Sequence, residues 1–201
     1  MKTLRLAGFL ATVVYAGLTL AAFLFYPQSY SPLHNWLSDL GNPLINPKGA
    51  ILYNVGCIAA SLLLIAFYLG LNALRNGDRV LGRLLAICQA AGVFASLALI
   101  LAAIYDIGTQ TARHSSFSML LAVGLTWFLC FANTALLRHP GFSKWLGFYG
   151  LAAGAAILAY GVFFNTPPGE WLAIGMFIIY IDLLAALAPR SQGAARVAVL
   201  R

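Results

Sequence analysis

The chain has 201 residues, of which 62% are hydrophobic and only 8% are charged. Soluble domains carry about 25% charged residues, so this composition, with a mean hydropathy of +0.87, excludes a soluble protein of this length. The formal net charge of +7 comes from twelve basic and five acidic residues. Because the basic residues collect at one side of the predicted membrane topology, the charge indicates contact with anionic lipid and not with nucleic acid.

Six apolar segments are long enough to cross a bilayer as helices, which takes roughly 20 residues. They occupy 5–26, 50–74, 82–105, 115–137, 145–164 and 170–189. The sequence therefore predicts an all-α polytopic membrane protein, with a transmembrane domain over 1–189 and a short basic cytoplasmic tail over 190–201. The first segment follows basic residues but lacks a convincing cleavage site, so we expect an uncleaved first helix.

A polar loop over 27–48 separates the first two segments. Read at helical spacing, it has an apolar stripe on one face and polar residues on the other, namely Leu33, Trp36, Leu37 and Leu40 against His34, Asn35, Ser38 and Asp39. Ser31 is a favourable cap, Pro32 suits the first helical position and Gly41 suits the end. The pattern predicts a short amphipathic helix on the outer surface. It either covers a site or simply packs on the bundle.

Polar and small residues within the spans are expected to hold helices together. Asp182 in the sixth span should lie at the depth of Gln89 and Asn133, and hydrogen bonds among them, or to a snorkelling Arg83, are favoured over an ion relay. The small-residue runs at 91–96 and 150–156 are interpreted as close-packing surfaces without chemistry. Three isolated cysteines offer neither a disulfide framework nor a metal motif and are interpreted as core residues: Cys57, Cys88 and Cys130.

The basic residues predict the orientation. In the six-helix topology ten lie on one side and two on the other: Lys2, Arg5, Arg75, Arg79, Arg83, Arg138, Lys144, Arg190, Arg196 and Arg201 against Lys48 and Arg113. Short-loop Lys and Arg stay in the cytoplasm. Both termini are therefore predicted to be cytoplasmic, in the cell (inner) membrane, and the 27–48 loop to face outward. His139 falls on the cytoplasmic side, where it is expected to interact with helix-end carbonyls.

The outward side collects most of the remaining polar groups of the chain. The candidate ligand-binding residues there are His34, Asn35, Ser38, Asp39, Asn42, Asn54, Asp106, His114 and Ser115, with Asn46, Ser118, Asn165 and Glu170 nearby. The first interpretation is a pocket that binds a lipid head group or small polar ligand, in which Lys48 and Arg113 pair with phosphate and membrane lipids are the partners.

Three other interpretations stay open for this cluster. Imidazole and carboxylate groups are suitable ligands for Zn²⁺ or another divalent metal, which gives a possible metal set and a metal-dependent lipid hydrolase: His34, Asp39, Asp106 and His114. A metal-free hydrolase or acyl-remodelling enzyme would use Ser38 as nucleophile, His114 as base and Asp106 to orient the base. The third is a haem held by two histidines. The spacing of the residues matches no specific catalytic or metal motif.

Three stretches carry a family resemblance: HNWLSDLGNP from His34, NPKGAILYNVG from Asn46 and YDIGTQTARH from Tyr105. They resemble the prokaryotic family of domain of unknown function 998, and are similar to the FGF-receptor-activating-protein, damage-regulated autophagy modulator and Sfk superfamily. The resemblance implies a six-helix bundle over about residues 1–190. It also implies a role in membrane-lipid organisation, one branch being associated with remodelling the lipid of GPI anchors. The positions that match the motif are Ser38, Asp39, Gly41, Pro43, Asn54, Asp106 and His114.

Overall fold

The computed structural model describes residues 2–188, which form six long helices and two short ones. The α-helices are α1 (Lys2–Leu24), α2 (Ala50–Gly70), α3 (Arg79–Ile104), α4 (Thr111–Arg138), α5 (Lys144–Phe163) and α6 (Pro167–Leu187). A 3₁₀ helix over Leu37–Gly41 lies between α1 and α2, and a second one over Leu71–Leu74 extends α2. The tail predicted over 190–201 lies outside the described residues.

All six helices are long and apolar enough to cross a membrane. The prediction of an all-α polytopic membrane protein is therefore confirmed. Hydropathy locates such helices well because a backbone in hydrocarbon must satisfy its own hydrogen bonds, and a helix does so locally. The largest shift in a boundary is at α4, which begins at Thr111 and so includes His114 within its first turns.

The helices form a closed ring in chain order, in which each packs on the next and α6 packs back on α1. Buried aromatic rings pack together inside it, with Phe128 in edge-to-face contact with Tyr68, Phe177 and Tyr180. Small residues let the helices approach: a Cβ at Gly92 would lie 2.5 Å from the Tyr68 ring. The small-residue run at 91–96 thus packs closely, as expected, against α2.

The short helix predicted in the loop is present, but it covers fewer residues than the apolar stripe. The chain makes a turn at Pro32–His34, and only Leu37–Gly41 is helical, as a 3₁₀ helix. Extended backbone at Trp36 (φ −64°, ψ 145°) separates the two parts. Leu37 and Leu40 are buried as the stripe predicts, but Leu33 is 68% exposed. Side chains from other parts of the chain, described below, hold this shape in place of a continuous helix.

The predicted hydrogen bonds around Asp182 are not formed within residues 2–188. Gln89 instead donates to the carbonyls of Tyr68 and Leu69 at 3.0 Å each, which joins α3 to α2. The Asn133 amide donates to the Leu129 carbonyl of its own helix and lies against Gly150. Of the cysteines, Cys57 and Cys88 are buried as expected, whereas Cys130 is exposed on the outer face of α4.

Candidate functional site

A narrow cavity of about 100 Å³ lies inside the ring of helices. It begins where the α1–α2 loop, the start of α4 and the start of α6 meet, which we call the loop end. Its lining there includes Ser38, Asn54, His114 and Glu170. The rest of the lining is mostly aliphatic or aromatic and comes from five helices: Ala11, Thr12, Tyr15, Tyr53, Cys57, Ala60, Leu64, Tyr68, Ala95, Ser96, Leu99, Ala102, Ala103, Ser118, Leu121, Leu125, Ile174, Phe177, Ile178 and Ile181. Of these, Tyr53, Ala102 and Ala103 are still near the loop end, and most of the others lie farther in.

Glu170 ties the loop to α6. Its Oε2 accepts the backbone N–H of Leu37 at 2.6 Å and that of Ser38 at 3.4 Å. These are amides at the start of the 3₁₀ helix, where donors lack partners within the helix. The neighbouring Trp171 indole donates to the Asn35 carbonyl at 3.4 Å. The first turn of α6 therefore fixes the loop and brings Ser38 to the cavity.

Asp39 and Tyr30 support the same loop from within. The Asp39 carboxylate accepts the Trp36 N–H at 2.9 Å, and the Tyr30 hydroxyl donates to the Trp36 carbonyl at 2.7 Å. Burial raises the pKa of Asp39, an effect that the Trp36 N–H opposes. Burial also raises the pKa of Tyr30, which keeps its hydroxyl protonated as the donor. Both side chains therefore stabilise the loop conformation.

Asn46 holds the end of the loop against α1 and α2. Its side chain is fully buried, and its amide donates to the carbonyls of Ala22 (3.2 Å) and Leu40 (2.9 Å) while its oxygen accepts from Gly49 N–H (3.1 Å). All three side-chain hydrogen-bonding contacts are thus internal to the protein. Asn46 belongs to the scaffold of the site and is closed to solvent.

Asn54 and Gly41 join α2 to the 3₁₀ helix. The Asn54 amide donates to the Gly41 carbonyl at 3.0 Å. A Cβ at position 41 would lie 2.4 Å from the Asn54 side-chain oxygen, so only glycine allows this approach. Asn54 also lines the cavity. It is both a structural contact and a candidate ligand-binding group.

Asp106 and Asn42 shape the turn between α3 and α4. The Asp106 carboxylate accepts from Gly108 N–H (3.0 Å), Thr109 N–H (2.8 Å) and the Thr109 hydroxyl (2.6 Å). The side chain of Asn42 abuts Gly108, where a Cβ would lie 2.0 Å from its oxygen. The Asp106 oxygens are thus occupied by their own turn, and neither residue lines the cavity.

His114 is oriented by the end of α3. Its Nδ1 lies 2.9 Å from the Ala102 carbonyl, which can only accept, so Nδ1 carries the proton. In the neutral ring the lone pair is then on Nε2, to which no hydrogen bond is found within residues 2–188. Because His114 lines the cavity, its ring is a candidate hydrogen-bonding group there.

The predicted site residues therefore separate into two groups. Ser38, Asn54 and His114 line the cavity. The others lie outside its lining: His34 and Ser115 are exposed, and Asn35, Asp39, Asn42 and Asp106 form turns and caps. Of the expected phosphate partners, Arg113 donates to Gln110 and stacks on Tyr105, and Lys48 is exposed.

The residues that the metal, haem and hydrolase interpretations would each bring together do not all meet in the structure. No three His, Cys, Asp or Glu side chains among residues 2–188 are placed to share a metal ion, so His34, Asp39, Asp106 and His114 are not gathered into one centre. The exposed His34 lies outside the cavity lining, so no second histidine accompanies His114 there. The triad is also incomplete in the described region, since Asp106 binds its own turn while a backbone carbonyl orients His114.

Sequence reasoning placed Glu170 on the outward side but left it out of the ligand set. Its signal is an acidic residue within a membrane segment, which is costly unless it has partners or a function. Tyr15 and Tyr53 were missed. Their hydroxyls lie 3.5 Å apart beside the cavity. No polar pattern marks them, because aromatic residues are common in transmembrane helices.

Comparisons with known proteins place the chain in a family. The family model described as protein of unknown function DUF998 matches residues 9–189. Searches of curated proteins and of solved structures found no match. The matched stretch contains α2 to α6, most of α1 and every cavity-lining residue. The chain therefore belongs to the DUF998 family.

Proposed function

We propose that this protein is a multi-pass cell-membrane protein, with both termini in the cytoplasm, that binds a narrow amphiphilic lipid or lipid-derived molecule. The ligand's polar head lies at the loop end and its apolar chain lies along the cavity between the helices. One observation carries the proposal: the cavity is polar at the loop end and mostly apolar below it. Ligand sites are commonly apolar with a few polar groups that fix orientation.

The shape of the cavity favours a single chain. Its lining follows one face of α2 from Tyr53 to Tyr68, about 22 Å at 1.5 Å per residue, and α4 from His114 to Leu125, about 16 Å. A cavity that is this long and encloses only about 100 Å³ is narrow, which favours a single chain over a whole two-chain phospholipid. The rest of a larger lipid would remain in the bilayer.

The charge at the loop end favours a neutral or cationic head. Glu170 is the acidic residue of the lining, whereas the basic Lys48 and Arg113 are not part of it. A phosphate placed beside the Glu170 carboxylate would be repelled without a compensating cation. A hydroxyl or amine head could instead donate to Glu170 and to Nε2 of His114. This replaces the phosphate pairing expected from sequence.

The orientation rests on the distribution of basic residues. Among the described residues, Lys2, Arg5, Arg75, Arg79, Arg83, Arg138 and Lys144 lie at the end of the bundle opposite the loop end. By the positive-inside rule that end is cytoplasmic. The head group is then recognised at the outer surface of the membrane.

The test is to identify what the protein retains. The protein is extracted from its native membrane in polymer-bounded lipid discs, and its lipids are analysed by mass spectrometry. Ser118→Leu places a large side chain in the cavity lining, and Ser115→Leu is the matched control because Ser115 is exposed. We expect an amphiphile enriched in the wild type and in Ser115→Leu, and reduced about tenfold or more in Ser118→Leu. Identical lipid profiles in all three would contradict the proposal.

An ester hydrolase is the second candidate, because Ser38 and His114 line the same cavity. In the neutral His114 ring, Nε2 carries the lone pair that a general base needs. General-base activation of a serine requires these groups to come within hydrogen-bonding reach. Hydrolysis of a fluorogenic acyl ester by the purified protein, lost in Ser38→Ala and in His114→Ala, would support it. Turnover that persists in Ser38→Ala would exclude Ser38 as the nucleophile.

A further inference from the structure

Two hydroxyl groups in the deeper part of the cavity have no hydrogen-bond partner. The Tyr68 hydroxyl oxygen and Ser96 Oγ are both buried and unpaired within the described residues. Tyr68 is 0% exposed and Ser96 is 2% exposed, and both residues line the cavity. The small-residue run that contains Ser96 was expected to carry no chemistry, so this position was missed from sequence.

Ser96 differs from five other hydroxyl residues in these helices. A serine or threonine in a transmembrane helix commonly donates to the carbonyl four residues earlier. Five side chains of this chain do so: Ser61, Thr111, Ser116, Thr126 and Thr134. The Ser96 hydroxyl has no such bond. It therefore remains available to a group in the cavity.

Tyr68 is held in place on several sides. Its ring packs over Gly92 and meets the Phe128 ring edge-on at a centroid distance of 4.6 Å. The Gln89 amide donates to its backbone carbonyl at 3.0 Å. The residue cannot readily swing its hydroxyl toward another partner. Its unpaired state is thus a consequence of packing around the cavity.

An unpaired buried hydroxyl is destabilising, because it has lost its hydrogen bonds to water and gained none within the protein. We propose that the hydroxyls of Tyr68 and Ser96 provide a second, deeper polar subsite along the cavity, where either can bind a neutral oxygen group of the ligand: a hydroxyl, carbonyl or ether on its chain. The Ala102 carbonyl, which orients His114, marks the depth of the loop-end group on α3. Ser96 lies six residues from Ala102, about 9 Å along the helix, and Gly92, on which the Tyr68 ring packs, lies ten residues away, about 15 Å.

The subsite takes a neutral group because its lining is uncharged. The ionisable residues that can carry charge in the cavity, Glu170 and His114, both belong to the loop end. Placing an ion beside Tyr68 and Ser96 would leave it in apolar surroundings without a counter-charge. This inference rests on the proposed function and narrows the ligand class to chains with polar groups at two depths.

The test compares α,ω-alkanediols with primary alkanols of the same chain length. Both series, over a range of chain lengths, are titrated into the purified protein in lipid discs. Binding is read from isothermal titration and from the shift in Tm. Tyr68→Phe and Ser96→Ala each remove one hydroxyl with little change in volume. Ser61→Ala is the matched control, since Ser61 is equally buried but bonded to its own helix and absent from the cavity lining.

For one chain length we expect the wild type and Ser61→Ala to bind the diol about threefold to tenfold more tightly than the alkanol, as one added hydrogen bond allows. In Tyr68→Phe and Ser96→Ala this preference should vanish while alkanol binding persists. Equal binding of diol and alkanol to the wild type at every chain length would mean that the two hydroxyls hold only a water. That result would overturn the proposed subsite and leave the proposed function standing. If the wild type binds neither, the proposed function fails, and the subsite with it.

Discussion

The Glu170 carboxylate accepts the Leu37 amide proton at 2.6 Å across 133 residues of sequence. The acidic group at the start of α6 thereby occupies the unpaired amides of the 3₁₀ helix, and it does so at the edge of the cavity. One side chain thus couples the loop conformation to the site.

Replacing Glu170 tests that coupling. Glu170→Ala should leave the Leu37 and Ser38 amides unpaired and cost about 1–3 kcal/mol of unfolding free energy. Glu170→Gln keeps an acceptor oxygen and should cost clearly less. Hydrogen exchange at these two amides is the direct measurement. Unchanged protection in Glu170→Ala would mean that the loop holds its shape without α6.

Asn46 should be among the most sensitive polar positions. Asn46→Ala removes three buried hydrogen bonds and leaves the Ala22 and Leu40 carbonyls without their donor. We expect a loss of about 2–4 kcal/mol, measured by denaturant or thermal unfolding in lipid discs. Asn165→Ala, at an exposed position, is the control and should be near neutral. A small effect at Asn46 would mean that water replaces its contacts.

The membrane orientation can be tested by cysteine labelling with an impermeant thiol reagent. A reporter at Asn46 would fail because that side chain is fully buried, and one at Gly77 would strain a backbone with φ of 94°. Ser29→Cys and Asn76→Cys are exposed alternatives in a Cys130→Ala background. We expect labelling of Ser29→Cys in intact cells, and of Asn76→Cys only after permeabilisation. The reverse pattern would invert the topology.

His139 should make the junction between α4 and α5 sensitive to acid. Burial lowers the pKa of His139, and its Nδ1 accepts the Gly141 N–H at 3.0 Å, so the folded state favours the neutral ring. A lowered folded-state pKa gives stability that is full above the ordinary value and is lost as the pH falls through the lowered one. The wild-type Tm should therefore drop between neutral pH and about 5.

The matched variant for that measurement is His139→Asn, which keeps an acceptor near the position of Nδ1 but does not titrate. Its Tm should be flatter over the same pH range. Parallel curves for the two proteins would assign the acid sensitivity to another group.

The helices could be predicted from sequence because their signal is local, whereas the loop could not. Hydropathy over about 20 residues is enough to place α1 to α6. The stripe from Leu33 to Leu40 has helical spacing, but Glu170 and Tyr30 bind the backbone in another conformation. A partner 133 residues away leaves no trace in the periodicity of the loop.

The site could be predicted only in part, for a related reason. Polar residues near the loop end were found by composition, and Ser38, Asn54 and His114 do line the cavity. Sequence alone did not separate these from Asp39 and Asp106, whose carboxylates stabilise turns. The deep hydroxyl of Ser96 was hidden among small residues, because a cavity is a property of packing between helices.

The ring of helices is closed by its first and last members. The Arg5 guanidinium donates to the Ala188 carbonyl at the end of α6, and Gly8 of α1 approaches Ala185. During synthesis α1 enters the membrane before α6 has been made. The face of α1 that packs on α6 therefore contacts lipid or an insertion factor until α6 is inserted. The cavity between the helices is therefore complete only when the last helix has joined the first.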